Sequence, residues 1–286
     1  MPVSQHNGVV LLAHPSGSAS AKVHLYGATL TSWTVDGNER VFLSEKAVLD
    51  GTKAIRGGIP LVFPVFGKSK APHVTANLPQ HGFARISQWE LDNSSDHGET
   101  VTAQFVLDHN KIAKEHRDFW PFDFALIYTV KLTANTIETH LKVHNTGDRP
   151  FDFNTLLHTY FLIPDVEKVR VIGLDGYDYV DKVLQQTSKQ EGKVIIAGEV
   201  DSVYAGVKTS DLQIRFDDGE RGIQVHKNGL DDIVVWNPWV VKSKSMADFG
   251  DDEYNRMICV EAGQVAEFLT LAAGGSWEGS QILSLL

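Results

Sequence analysis

Apolar and polar positions alternate along most of the chain, and helical spacing is scarce. The segment "TVTAQFVLD" (100–108) alternates cleanly. The stretch "DFALIYTVKLTANTIETHLKVHNTGDRPFDFNTLLHTYFLI" (123–163) reads as three successive strands. Its turns fall at "TANT" and "NTGDRP", where Asn, Gly, Asp and Pro favour chain reversal. The pattern continues through "KVRVIGL", "DLQIRFDDG", "IQVHKN", "DIVVWN", "MICVEAG" and "AEFLTLAAGG". Short helices are expected only at "EKAVLD" (45–50) and "HNKIAKEH" (109–116). Many short strands with Gly, Pro and Asn turns predict an all-β fold, a large sandwich or barrel. With no linker, low-complexity run or fixed-period repeat, residues 1–286 are expected to form one β domain.

Two strands carry polar rows inside apolar surroundings. In "FDFNTLLHTYF" a period of two puts Phe151, Phe153, Thr155, Leu157, Thr159 and Phe161 on one face and Asp152, Asn154, Leu156, His158 and Tyr160 on the other. The second row either lines a cleft, with His158 as an acid/base candidate, or faces solvent. In "RMICVEAGQ" Cys259 and Glu261 share a face. Burial there would raise the Glu261 pKa toward the range of a general base; the alternative is a strand-end carboxylate reaching water or an arginine. Cys259 reads as a small buried apolar residue. "DIVVWNPW" ends in Trp236, Asn237 and Trp239, which suit either a sugar ring or a core beside a proline turn. "IETHLKVH" aligns Glu138, His140, Lys142 and His144; the lysine between the histidines argues for a solvated outer face over a metal site.

Charge narrows the partners. The net charge is −10 over 286 residues, so no broad positive field exists for nucleic acid or an anionic membrane, and neither is expected as a partner. One cysteine excludes an internal disulfide and fits a reducing compartment. "VVLLA" is too short for a signal core and no run is long enough to span a bilayer, so a cytoplasmic location is expected. No P-loop, dinucleotide fingerprint, nucleophile elbow or Cys/His framework occurs. Two stretches still concentrate donors. "LPQHGFAR" packs Gln80, His81 and Arg85 around small residues, and "AIRGGIPLVFPVFG" carries Arg56 alone in an apolar run.

The ordered motifs "IRGGIPLVFPVFG", "LPQHGFAR", "NTLLHTYF", "VDSVY", "DIVVWNPW" and "ICVEAG" span residues 55–263. Together they resemble the glucose-6-phosphate 1-epimerases, the hexose-6-phosphate mutarotases of the aldose 1-epimerase superfamily. The resemblance implies a galactose mutarotase-like β-supersandwich with an open cleft and no metal or organic cofactor. It implies that His158 and Glu261 are the acid/base pair, and that Arg56, Gln80, Arg85 and Asp201 bind a sugar phosphate, with His81 nearby; Trp236 is added as a sugar-facing ring. Under that reading Glu261 takes the O1 proton, protonated His158 protonates the ring oxygen, and a monomer suffices. The rival functions are a non-catalytic carbohydrate-binding sandwich, a mutarotase for an unphosphorylated sugar, and a hydrolase or lyase on the same fold. A hydrolase would ordinarily need two carboxylates rather than a His and a Glu.

Overall fold

The computed structural model describes residues 2–216 and 219–286. Among these, the strands form three antiparallel sheets. An N-terminal meander of five runs from Val3–His6 to Asn38–Glu39. A nine-stranded sheet follows the spatial order Val194–Ile195, Arg170–Ile172, Asp211–Arg215, Gly222–Asn228, Ser276–Leu285, Thr136–Asn145, Phe124–Leu132, Val101–Asp108, Glu90–Asp96. The third sheet has eight strands: Gln186–Lys189, Asp178–Asp181, Val200–Tyr204, Asp232–Asn237, Met257–Leu271, Phe151–Leu157 and Leu61–Val62 in order, with Tyr160–Leu162 also pairing on Met257–Leu271.

The alternation seen in the sequence sets the burial. In Thr136–Asn145 every second residue, from Ile137 to Asn145, is buried, while Glu138, His140, Lys142 and His144 stay on the half-exposed face as expected. Buried residues of all three sheets, from Val10 to Leu283, belong to one contiguous hydrophobic cluster. The eight-stranded sheet differs from the others because its central strands are covered on both faces. Every residue of Asp232–Asn237 and of 257–263 is buried. One face (Ile233, Val235, Ile258, Val260) joins the main core. The other carries two smaller clusters, one around Tyr160, Trp236 and Cys259, the second around Leu156, Val203 and Val234. Cys259 is fully buried, as its setting suggested.

The helices differ from expectation. Residues 45–50 are turn and bend rather than helix. Six residues cannot offset the nucleation cost alone, and the chain is instead pinned by Glu253, which accepts from Ser44 Oγ and the Glu45 N–H. The second helix covers Lys114–Phe119, downstream of a turn in which Lys111 N–H donates to Asp108 O. A further helix, Trp239–Ser245, follows Pro238 directly; its "WVVKSKS" sequence has no helical apolar stripe, and Trp239 is held against Tyr254 at 5.2 Å.

Two glycine stretches let backbone approach backbone beside the eight-stranded sheet. At Gly82 (φ +71°) a Cβ would lie 2.1 Å from the Phe63 carbonyl oxygen, and at Gly58 (φ +66°) 2.0 Å from that of Leu30. Gly98 has a similar φ of +80° with open space around it. Gly82→Ala is therefore expected to destabilise by more than the ~1–3 kcal/mol of a left-handed strain alone, and Gly98→Ala by only that strain. Urea midpoints at constant m-value read the difference.

Candidate active site

The Phe151–Leu157 strand stops one residue short of His158. The Thr159 N–H turns back to the Leu157 carbonyl at 2.8 Å, a three-residue γ-turn with His158 at its centre. The His158 N–H goes to Pro60 O at 3.1 Å, and pairing resumes at Tyr160, opposite Cys259. The imidazole therefore leaves the sheet on the face away from the main core. Glu261 lies on the same face two residues beyond Cys259, across from Val234. His158 Nδ1 and Glu261 Oε1 are 3.4 Å apart. They are not aligned as a hydrogen bond: Nδ1 and Glu261 Oε2 are buried with no hydrogen-bond partner.

Above this pair is a cavity of about 260 Å³. Of the residues singled out in the sequence, Arg56, Gln80, His81, His158, Asp201, Trp236 and Glu261 line it. Arg85 is brought to the same corner but is not in the lining. Its Nη2 donates to the Gln80 carbonyl at 2.8 Å, bracing the loop that carries Gln80 and His81. Three lining residues lie outside the motifs read in the sequence: Lys182, Lys242 and Met246. Phe66, Gly67 and Val234 also line it, from "IRGGIPLVFPVFG" and "DIVVWNPW". The Lys182 ammonium sits 4.1 Å over the Phe66 ring, and Lys242 donates to Glu199 at 2.9 Å. Arg56 Nη1 donates to Tyr160 Oη at 3.2 Å and its Nη2 pairs with Asp248 at 3.2 Å. Its Nε has no partner. The polar row read on the "FDFNTLLHTYF" strand is thus a cavity wall for His158, with Tyr160 stacked beneath it at 4.8 Å and 10° and Trp236 edge-on at 6.1 Å.

Burial governs the electrostatics. It pushes the His158 imidazole well below its ordinary value, and the Arg85 and Arg56 charges push further. Burial, then the Asp201 charge, push the Glu261 carboxyl well above its ordinary range. Burial thus disfavours the charged form of both groups, while Lys182 and Arg85 pull the Glu261 carboxyl the other way. His81 is also held neutral, by burial and then by Arg85. Its Nδ1 accepts the Gly67 N–H at 3.2 Å, which leaves the ring proton on Nε2. Burial lowers Arg85 to about 10. Burial pulls Arg56 down, but Tyr160 and Asp248 outweigh it and hold its pKa above the usual value. Asp201 is raised by burial, against the pull of Lys182 and Lys242. The Cys259 thiol lies within 4.8 Å of donor atoms of His158 and Glu261, and burial followed by the Glu261 charge keeps it protonated.

Residues 8–284 match the sequence model of the aldose 1-epimerase family. The chain belongs to the aldose 1-epimerase family. A protein of Cenchrus ciliaris provisionally named glucose-6-phosphate 1-epimerase is 39% identical over 272 residues, 92% of this chain and 80% of that protein. An Escherichia coli K12 protein of the same provisional name is 34% identical over 264 residues, 91% and 84% of the two chains. The crystal structure of a provisionally named mutarotase from Salmonella typhimurium superposes with a TM-score of 0.87 at 28% identity, covering 99% of this chain and 92% of that one. A galactose 1-epimerase from Lactobacillus acidophilus shares the fold at a TM-score of 0.73 and 15% identity, over 100% and 97% of the two chains. Members of the aldose 1-epimerase family act on sugars, and the polar cavity on this sheet is of a kind that takes a small sugar.

Burying Glu261 has a stability consequence with a definite sign. Its folded pKa lies above the ordinary 4.5, so the unfolded chain loses the proton first as pH rises. Stability then falls from about pH 4.5 up to the folded pKa. Glu261→Gln removes the titration. The variant is expected to have a higher unfolding free energy than the natural chain at pH 8, with the gap closing by pH 4. A gap independent of pH would place the carboxyl in water.

Proposed function

We propose that this epimerase interconverts the α and β anomers of a hexose 6-phosphate, chiefly glucose 6-phosphate, by opening and reclosing the ring. The observation that carries this is the buried His158–Glu261 pair, Nδ1 and Oε1 3.4 Å apart with Nδ1 and Oε2 unpartnered, under a wall holding Arg56, Lys182 and Lys242. A base that removes the O1 proton lets C1–O1 become a carbonyl. The C1–O5 electron pair leaves onto O5, which takes a proton from the acid. Rotation about C1–C2 exposes the other carbonyl face, and closure reverses both transfers. One proton shared by two groups is enough, and no covalent intermediate is required.

The phosphate has a second effect in this reading. A dianion beside Arg56 offsets part of the positive potential that, after burial, lowers the His158 pKa, and so favours His158 as the acid for O5 with Glu261 as the base for O1. Arg56 suits the phosphate because its planar fork offers paired donors. Arg85 acts by holding the Gln80 carbonyl and adding charge. In this reading one chain supplies all of these groups, and a monomer working as a single domain suffices. The rival for this site is an unphosphorylated aldose, favoured by the existing Arg56–Asp248 pair.

Magnetisation-exchange NMR between the anomers of glucose 6-phosphate and of glucose tests both readings. His158→Ala or Glu261→Gln is expected to slow exchange by roughly 100- to 10,000-fold, with binding changed far less. Arg56→Ala is expected to lower kcat/KM by roughly 10- to 150-fold on the phosphate, the value of one charge-assisted contact, and little on glucose. Equal loss on both sugars would leave a mutarotase of unphosphorylated aldoses.

The pH profile follows from the shared proton. The acidic limb is entry of a second proton onto His158, and the basic limb is loss of the one proton on the pair. Because His158 is depressed and Glu261 raised, the plateau between them is expected to be broad for glucose. With the phosphate a further limb enters near pH ~6 from the substrate itself.

A further inference from the structure

We propose that Thr159 and Gln281 are positioning residues for His158: a buried hydrogen-bonded strut from the nine-stranded sheet that fixes the turn from which the imidazole projects. The proposal rests on the reading of His158 as the acid of the site.

A catalytic histidine is commonly oriented by a hydrogen bond from the ring nitrogen that does not meet the substrate. His158 Nδ1 has no such bond. The ring is held by the stack on Tyr160 and by its own backbone. That backbone is a γ-turn, the tightest reversal available to the chain, so its carbonyl–amide closure decides where the ring points. Thr159 closes it twice. Its N–H donates to Leu157 O at 2.8 Å, and its Oγ1 donates to the same oxygen at 3.2 Å. Gln281 then donates from Nε2 to Thr159 Oγ1 at 2.7 Å. The hydroxyl is thus locked into one role as donor to the turn and acceptor from Gln281, and each bond polarises the next.

Packing alone gives no reason for these groups. Both side chains are fully buried. Gln281 occupies a core-facing position in Ser276–Leu285, two residues from Leu283 and directly opposite Thr139. Its Oε1 has no partner, a cost of about 1–3 kcal/mol for such a group. Replacing a buried polar pair by apolar groups of the same shape is often close to neutral. A buried polar pair in the core that bonds to the residue following His158 is accounted for by what it does to the turn.

The test uses Thr159→Val, which keeps the shape and removes the hydroxyl, Thr159→Ser, which restores it, and Gln281→Met. Thr159→Val and Gln281→Met are expected to lower kcat by about 10- to 100-fold, the effect of a displacement of about 1 Å, with KM changed less than about threefold. Thr159→Ser should recover most of the rate. In a His158→Ala background Thr159→Val should cost nothing further, because there is no ring left to aim. The His158 imidazole resonances and their titration should move in Thr159→Val and return in Thr159→Ser. Folded Thr159→Val and Gln281→Met proteins with unchanged kcat and unchanged His158 resonances would overturn the proposal. So would an equal loss in the His158→Ala background. If Thr159→Val does not fold, Gln281→Met and Thr159→Ser carry the same comparison. If His158→Ala itself leaves exchange intact, the functional reading fails, and the His158 resonances still report whether the strut sets the ring.

Discussion

Two ionisable side chains held out of water 3.4 Å apart are the constraint on which the rest of this molecule depends. Neither His158 nor Glu261 recovers its lost hydration through aligned hydrogen bonds, since Nδ1 of one and Oε2 of the other are unpartnered. Leaving such groups buried costs free energy. The surrounding structure must therefore over-determine their positions, and it does so with rigid parts: a sheet buried on both faces, a γ-turn, and a ring stacked at 10°. The same burial displaces both pKa values, that of His158 down and that of Glu261 up. The destabilising feature and the chemically useful one are the same feature.

The sheet explains how a side chain from one strand and another from its neighbour reach one cavity. Asp201, Trp236, Cys259 and Tyr160 are consecutive register partners across four strands and so share a face. Glu261 is two residues from Cys259 and joins that face by the period of the strand. His158, between Leu156 and Tyr160, joins it by the same period, although the γ-turn interrupts strand pairing at its own position. The loops that close the other side come near because Gly58 and Gly82 let backbone pass where a Cβ would meet a carbonyl at about 2 Å. A larger residue at either position would move the loop bearing Arg56 or His81.

These causes decide what was legible in the sequence. His158 and Glu261 could be read because strand period is local: a polar residue on a strand with apolar neighbours announces itself within a few positions. The three strands of 123–163 were legible for the same reason. Lys182 and Lys242 were not. Lys182 sits in the turn after Asp178–Asp181 and Lys242 in the Trp239–Ser245 helix, and only the tertiary fold puts them over the same cavity. Asp248 reaches Arg56 from beyond the Trp239–Ser245 helix, which local spacing also concealed. The error at 45–50 is of the same kind, because Glu253, some two hundred residues away, holds that segment out of a helix. The ordered motifs implied Arg85 as a phosphate contact; it lies outside the cavity lining, and its hydrogen bond to Gln80 O is a tertiary detail that no motif carries.

The charge balance joins these observations. A chain of net charge −10 gathers Arg56, Lys182 and Lys242 around one cavity of about 260 Å³. Unopposed, three cations in a partly desolvated wall would repel one another and would stay ordered poorly. Arg56 is instead tied to Asp248, Lys242 to Glu199, and Lys182 rests on the face of Phe66. Each tether leaves donors over: the guanidinium Nε has no partner, and an ammonium has three protons where one is engaged. Half-exposed ion pairs are weak, so a doubly charged ligand competes with these acids at little cost while meeting cations already in place. Salt confines the attraction of these cations to the cavity mouth, within the roughly 8–10 Å over which a charge is felt. In the proposed reading the local field, not the net charge, is therefore what selects the ligand.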